Sequence, residues 1–215
     1  MRKNIAVILA GGAGKRFGGD RPKQLLPLAD GRSVLSHALD AFAACSCIDE
    51  VIVVMHADYM DEVHAAFPQV RFVPGGRERW ESSWNAIRFI GDADCNILLH
   101  DAARPFVSRQ IIEDVCRALE DHEAVTVAVP ATDTIYEVND GLLNRIPDRR
   151  TMMRAQTPQA FRLNVIRHAY EIAIQDPTLQ ATDDCGIVHR YLPDTPVFIV
   201  PGEEANRKIT FKEDI

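Results

Sequence analysis

At 215 residues, 47% of them hydrophobic, the chain has the length of one ordinary-to-large domain and enough apolar material for a sizeable core, which excludes a disordered segment. A formal net charge of −7 excludes a protein that coats nucleic acid or an anionic membrane, because such binding needs a basic surface. Five scattered cysteines without Cys-x-x-Cys spacing, and no leader-like or membrane-length apolar run, point to a reducing cytoplasm and no zinc site.

The first informative stretch is 4–24. A short Val- and Ile-rich run, Asn4 to Leu9, breaks into Ala10, Gly11, Gly12, Ala13 and Gly14, then into Lys15, Arg16, Arg21 and Lys23. A buried parallel strand opens into an anion-binding loop in this way. Glycines let backbone N–H groups turn toward a phosphate without Cβ interference, and the cations follow its charge. The loop is not a P-loop, since Arg16 stands where that motif needs Ser or Thr after Gly14-Lys15. Nor is it a dinucleotide fingerprint, since Phe17 ends the spacing and Pro22 interrupts any helix that follows. It reads as a nucleotide-triphosphate loop.

Ser33 stands at a helix N-cap, and Val34, Leu35, Ala38, Leu39 and Phe42 share one face of a helix ending near Cys47. A buried strand over 50–55, a helix over 59–67 and a short strand over 70–73 follow. This alternation predicts an α/β fold with a doubly wound, mostly parallel sheet, whose ligands sit beyond the carboxyl ends of the strands. Gly75 and Gly76 come directly after such a strand. With the Ser82 hydroxyl they suit recognition of a pyrimidine edge, and the next helix is expected to start around Trp84, Ala86 and Ile87.

The strand over 96–100 delivers His100, Asp101 and Arg104 to the same edge. Asp101 is placed to hold Mg²⁺ against nucleotide phosphates, Arg104 to hold an anionic acceptor, and His100 reads as structural. Ser108 caps a helix over 109–121, and a buried strand over 124–130 ends in the polar cluster Ala131-Thr132-Asp133-Thr134. Two short strands around Asp140-Gly141 then form a hairpin. With little core of its own, this arm, at about 135–156, is expected to pack on another subunit. Asp148-Arg149-Arg150 and Gln156-Thr157-Pro158-Gln159-Ala160-Phe161 carry cations and hydroxyls suited to phosphate, the alternative being a solvated charged loop. Helices over 163–175 and 182–190, a last strand over 197–200, and a turn carrying Lys208 complete a single domain over 1–215.

Five motifs occur together and in order: the opening loop through Pro22-Lys23-Gln24; Gly75-Gly76-x-x-Arg79; His100-Asp101-Ala102-Ala103-Arg104-Pro105-Phe106; Asp148-Arg149 with Thr157-Pro158-Gln159; and Asn206-x-Lys208-Ile209-Thr210. The chain thereby resembles, from Ile5 to Ile215, the cytidylyltransferases that make CDP-methylerythritol and CDP-ribitol. The resemblance implies a Rossmann-like nucleotidyltransferase that moves CMP from CTP to a polyol phosphate with Mg²⁺. It implies CTP held by Ala10, Gly11, Gly12 and Gly14, the base read at Gly76 and Ser82, and the ribose near Ala102. Arg16, Lys23 and Lys208 become the catalytic cations and Asp101 the metal ligand. A homodimer is implied, in which the arm carries Arg149 and Thr157 into the partner's site beside Arg104 and Thr134.

Methylerythritol 4-phosphate is the favoured acceptor. Arg77 and Tyr136 depart from the methylerythritol pattern, and Leu9-Ala10-Gly11-Gly12 and Ile146-Pro147-Asp148-Arg149 lean toward ribitol 5-phosphate. A sugar-1-phosphate nucleotidyltransferase using UTP or dTTP would suit the opening loop alone, and Thr157-Pro158-Gln159 argues against it. The family usually continues into one more helix beyond Thr210, so an end at Ile215 fits a clipped chain or a domain cut from a fusion.

Overall fold

A computed structural model describes residues 2–12 and 21–215. Gly14, Lys15 and Arg16, expected to bind phosphate, lie outside the described residues. In chain order the elements are β1 (Lys3–Ala10), α1 (Val34–Ala43), β2 (Glu50–Met55), α2 (Met60–Ala66), β3 (Arg71–Pro74), α3 (Arg79–Ile90), β4 (Cys95–Asp101), α4 (Arg109–Asp121), β5 (Ala124–Pro130), β6 (Glu137–Asn139), β7 (Leu142–Arg145), β8 (Met153–Arg162), α5 (Leu163–Ala173), α6 (Asp184–Tyr191) and β9 (Val197–Pro201). Seven strands form one sheet in the order β3-β2-β1-β4-β8-β5-β9, and β6 and β7 pair separately.

Side chains alternate across a strand, so the central strands feed two cores. Ala6, Ile8, Val53, Met55 and Leu98 meet Leu35, Phe42, Ile112 and Val115 of α1 and α4 on one face. Val7, Ile52, Val54, Ile97 and Leu99 meet Ile87, Ile166, Tyr170 and Val188 of α3, α5 and α6 on the other. With both faces covered, β4 is buried along its whole length, Asp101 included. Register sets one ligand-facing edge: Ala10 pairs with Met55, Met55 with Pro74, and Leu9 with Asp101. Ser33 and Ser108 accept the N–H groups of Ser36 and Ile111 as N-caps, and Asp140 and Gly141 both turn with positive φ in the hairpin.

Two sequence expectations change. Helix α3 begins at Arg79, five residues before Trp84, because the Glu81 carboxylate reaches back to accept the backbone N–H groups of Arg77 and Glu78 and starts the helix inside the polar segment. Ser82 therefore lies on the helix's first turns. The stretch 156–161, for which no strand is predicted, is the buried half of β8, which runs antiparallel to both β4 and β5. Pro158 disguised it, since proline argues against an interior strand. A bulge accommodates the proline: Thr126 pairs with Gln159, but the next residue, Val127, pairs with Gln156, so Thr157 and Pro158 are skipped.

Phe161 on β8 is fully buried against α3, α5 and α6. Phe161→Ala should cost about 3–5 kcal/mol, read from the urea midpoint at unchanged m-value.

Candidate active site

At the carboxyl edge the first wall is made of backbone. A Cβ on Gly11 would lie 3.2 Å from both Gly75 Cα and the Ser82 hydroxyl, and one on Gly76 would lie 2.2 Å from Glu81 Cβ. Glycine is required at Gly76 for the loop to close over α3. Ser82 Oγ accepts the Gly76 N–H at 3.0 Å and donates to the Glu78 carbonyl at 3.3 Å, so this hydroxyl holds the turn together. Gln24, buried, donates its side-chain amide to the carbonyls of Ala10 and Gly12 and ties down the start of the glycine loop. A cavity of about 360 Å³ opens here, lined by Ala10, Gly11, Gly12, Lys23, Gly76, Ser82, Asp101, Ala102 and Lys208 among others. Its size suits a nucleotide.

Asp101 forms the floor and is 8% exposed. Its Oδ1 accepts from Arg79 Nε at 3.1 Å and its Oδ2 from Lys208 Nζ at 2.6 Å. Burial pushes the Asp101 pKa up, but Arg79, Lys208 and Arg104 outweigh burial and hold the carboxyl well below the usual range. Lys208 is brought in by the strap after β9, where the buried Ile209 donates its N–H to the Ala103 carbonyl at 2.8 Å. Lys23 reaches the same strap at the Ile209 carbonyl. Arg104 spans the strap and β8, donating to the Asn206 and Ala155 carbonyls at 2.7 and 3.2 Å. Burial lowers its pKa while Asp101 supports its charge.

A second cavity of about 210 Å³ adjoins the first, lined by Arg104, Ala155, Gln156, Thr157, Gln159 and Asp183. The two cavities share Arg79, Asp101, Thr182 and Lys208. Thr157, which the resemblance carries to a partner's site, lies here in its own chain's site, accepting the Asp101 N–H at 3.1 Å. Its proton has one destination. The Arg104 carbonyl can only accept, so His100 Nε2 donates to it, which leaves His100 Nδ1 to accept from the Thr157 hydroxyl at 3.0 Å. Thr134 and Arg149 line neither cavity, and Arg149 donates to the Thr132 carbonyl at 2.8 Å.

Arg79, which the sequence presents only within a motif, and Asp184, which it presents only at a helix start, both belong to the charged centre. Arg79 Nη1 donates to Asp184 Oδ2 at 2.7 Å. A signal for Asp184 was available: it shares a helix face with the buried Ile187 and Val188, and a carboxylate on an apolar face needs a cation. No cluster of three or more metal-ligating side chains occurs among the described residues, so any divalent ion here would be held by Asp101 together with ligand oxygens and water. That donor set fits magnesium, which takes one or two carboxylates plus phosphate. Each Asp101 oxygen keeps a lone pair beyond its one cation contact.

The parallel edge, the glycine wall and a carboxylate clamped between cations define an α/β nucleotidyltransferase. Residues 4–215 match the family described as IspD: 2-C-methyl-D-erythritol 4-phosphate cytidylyltransferase. The chain is 46% identical over 223 residues to the 2-C-methyl-D-erythritol 4-phosphate cytidylyltransferase of Thermobifida fusca, covering 98% of this chain and 89% of that one. It is 38% identical to a bifunctional ribulose 5-phosphate reductase/CDP-ribitol pyrophosphorylase of Haemophilus influenzae, covering 99% of this chain but 47% of that one. A solved structure of the 4-diphosphocytidyl-2C-methyl-D-erythritol synthase from Anaerococcus prevotii superposes with a TM-score of 0.88 at 29% identity, covering 99% of this chain and 92% of that one. The chain belongs to the 2-C-methyl-D-erythritol 4-phosphate cytidylyltransferase family.

His100 gives the site a pH signature. Burial lowers its pKa to about 4, from 6.5 in an unfolded chain. The unfolded state therefore binds the proton first, so His100 supports folding fully above pH 6.5 and that support is lost as pH falls toward 4, by roughly 3 kcal/mol. Urea midpoints at pH 7 and pH 4.5 should fall more steeply for the wild type than for His100→Gln.

Proposed function

We propose that the chain transfers CMP from CTP to 2-C-methyl-D-erythritol 4-phosphate, releasing pyrophosphate, as a step toward isoprenoid precursors in the cytoplasm. The observation that carries this reading is the junction of the two cavities, where Lys208, Asp101 and Arg79 stand between a nucleotide-sized space and a smaller one beside Arg104. CTP occupies the first cavity, its base against Gly76 and Ser82, its ribose near Ala102, and its phosphates over Ala10, Gly11, Gly12 and Gly14. The acceptor phosphate enters beside Arg104.

An oxygen of the acceptor phosphate forms the new bond to the α-phosphorus, and the bond from that phosphorus to the bridging oxygen of pyrophosphate breaks, the electron pair leaving with pyrophosphate. The acceptor phosphate is already ionised, so no general base is needed. The protein's task is to hold two anions in line and offset their repulsion, which falls to Lys23, Lys208 and Arg16. Asp101 would hold Mg²⁺, which when bound would neutralise further charge on the triphosphate. Thr157 contributes by holding the Asp101 backbone.

We read the arm as the contact that makes a homodimer. Tyr136, Val138, Leu142, Leu143 and Ile146 are exposed on it, and a two-stranded hairpin with a bare apolar surface needs a partner to cover it. The arm would then bring Arg149 into the partner's acceptor site, beside the Arg104 and Thr134 of that site. Ribitol 5-phosphate is the second reading, favoured by the similarity to the Haemophilus influenzae protein.

Pyrophosphate release from CTP, assayed separately with each acceptor, tests the proposal: methylerythritol 4-phosphate should win, and no turnover with either would sink both readings. Lys23→Ala should leave the fold intact and lower kcat by roughly 10²–10³-fold, the scale of one lost transition-state contact. Mixed dimers with Lys23→Ala on one chain and Arg149→Ala on the other should keep about one working site; activity equal to the average of the two dead parents would refute the shared site.

A further inference from the structure

The ion pairs at Asp101 continue inward. Arg79 Nε meets Asp101 Oδ1 at 3.1 Å, and its Nη1 meets Asp184 Oδ2 at 2.7 Å. Asp184 is fully buried, and its other oxygen accepts from the buried Tyr170 hydroxyl at 2.7 Å. Its backbone N–H donates to Gln159 Oε1 at 2.9 Å, so β8 fixes it as well. A single line of contacts thus runs from Tyr170 in α5 through Asp184, Arg79 and Asp101 to Lys208 at the junction of the cavities.

Asp184 lines neither cavity, so it cannot touch a ligand in them. Nor does stability as such account for it. An ion pair taken out of water recovers little more than its desolvation cost, and apolar residues of like volume serve as well or better. What the pair does supply is geometry. A guanidinium offers donors at fixed angles to two acceptors, which a lysine ammonium cannot reproduce. With Asp184 immobilised by α5 and β8, Arg79 has one orientation, Asp101 is held from the side opposite Lys208, and neither can swing when phosphates arrive.

On the reading above, we infer that Arg79 and Asp184 are positioning residues for phosphoryl transfer: Asp184 anchors Arg79, and Arg79 holds Asp101, and through it Lys208, in the reactive arrangement. Trp84 stacks on Tyr170 with ring centroids 5.7 Å apart, which stiffens the inner end of the line.

The test compares Asp184→Asn, Arg79→Lys and the charge-neutral pair Arg79→Gln/Asp184→Asn with the wild type, by steady-state kinetics, thermal melting and calorimetric CTP titration with and without Mg²⁺. Asp184→Asn keeps one oxygen as an acceptor for Tyr170 and replaces the charged oxygen that receives Arg79 with an amide N–H donor. Its kcat should fall about 10–100-fold, with KM for CTP within about threefold. Arg79→Lys should not rescue. The neutral pair should melt higher than either single variant yet keep a low kcat, a combination that a purely structural role does not produce. In calorimetry, metal-free CTP affinity should stay the same in Asp184→Asn while the gain on adding Mg²⁺ shrinks at least about threefold, because that gain depends on where Asp101 is held.

A folded Asp184→Asn enzyme with wild-type kcat, or a neutral pair that recovers melting temperature and kcat together, would overturn the inference. A wild type that turns over neither acceptor would instead overturn the functional reading. The calorimetric arm then decides this inference alone: an unchanged Mg²⁺ gain in Asp184→Asn refutes it.

Discussion

An ionised carboxylate at the end of a buried strand is the constraint around which the rest of this protein is arranged. Asp101 sits on β4, between β1, which carries the glycine loop, and β8, which carries Thr157. In that position it has little water to solvate its charge, and burial pushes its pKa up. It stays charged because three cations arrive from elsewhere: Arg79 from α3, Lys208 from the strap after β9, and Arg104 from the loop after β4 itself. Each must be delivered accurately, since a buried charge that loses its partner costs far more than an exposed one. The capping of α3 by Glu81, the insertion of Ile209 and the antiparallel course of β8 are three local solutions to that one demand.

The opposite wall obeys a different rule. Gly11 and Gly75 follow strands that are not neighbours, β1 and β3, and yet their backbones come within van der Waals reach of each other. Any side chain there would push the two loops apart and fill the space over Ala10 and Gly12. Ser82 bridges the gap from α3 by bonding the Gly76 N–H, and Gln24 does so from the segment before α1 by bonding two carbonyls of the glycine loop. One wall is therefore uncharged backbone and the floor is concentrated charge. That asymmetry suits a ligand with a flat polar base at one end and phosphates at the other.

Which parts of this were legible in the sequence follows from how far each signal travels along the chain. Helix caps at Ser33 and Ser108, the Asp140-Gly141 turn and the buried strands each depend on a few adjacent residues, and these agree with the structure. The glycine wall and Asp101 were placed on one edge because a doubly wound topology sends every parallel strand end there. What escaped depended on distant partners. Strand β8 is stable because β4 and β5 flank it, although its Thr157-Pro158 carries no local strand signal. Asp184 is a helix-start residue until α3 brings Arg79 against it, 105 positions away. The role of Thr157 could not be read from its own neighbours, because its hydroxyl is committed to Asp101 and His100 on another strand.

The distribution of charge connects these observations to the chemistry. A chain of net charge −7 repels anions at long range, but beyond a Debye length of about 8 Å in physiological salt that repulsion is largely screened, and the local field decides. Around the two cavities the cations Lys23, Arg77, Arg79, Arg104 and Lys208 outnumber the acids Glu78, Asp101 and Asp183, and Asp101 holds Arg79 and Lys208. The acids are spent on orientation, and the surplus of positive charge faces the ligand space. Had the same cations been left without Asp101, they would repel one another and spread on flexible stems, attracting phosphates without aligning them. The clamped carboxylate lowers the field slightly and fixes its direction, and for joining two phosphates in line, direction is the scarcer quantity.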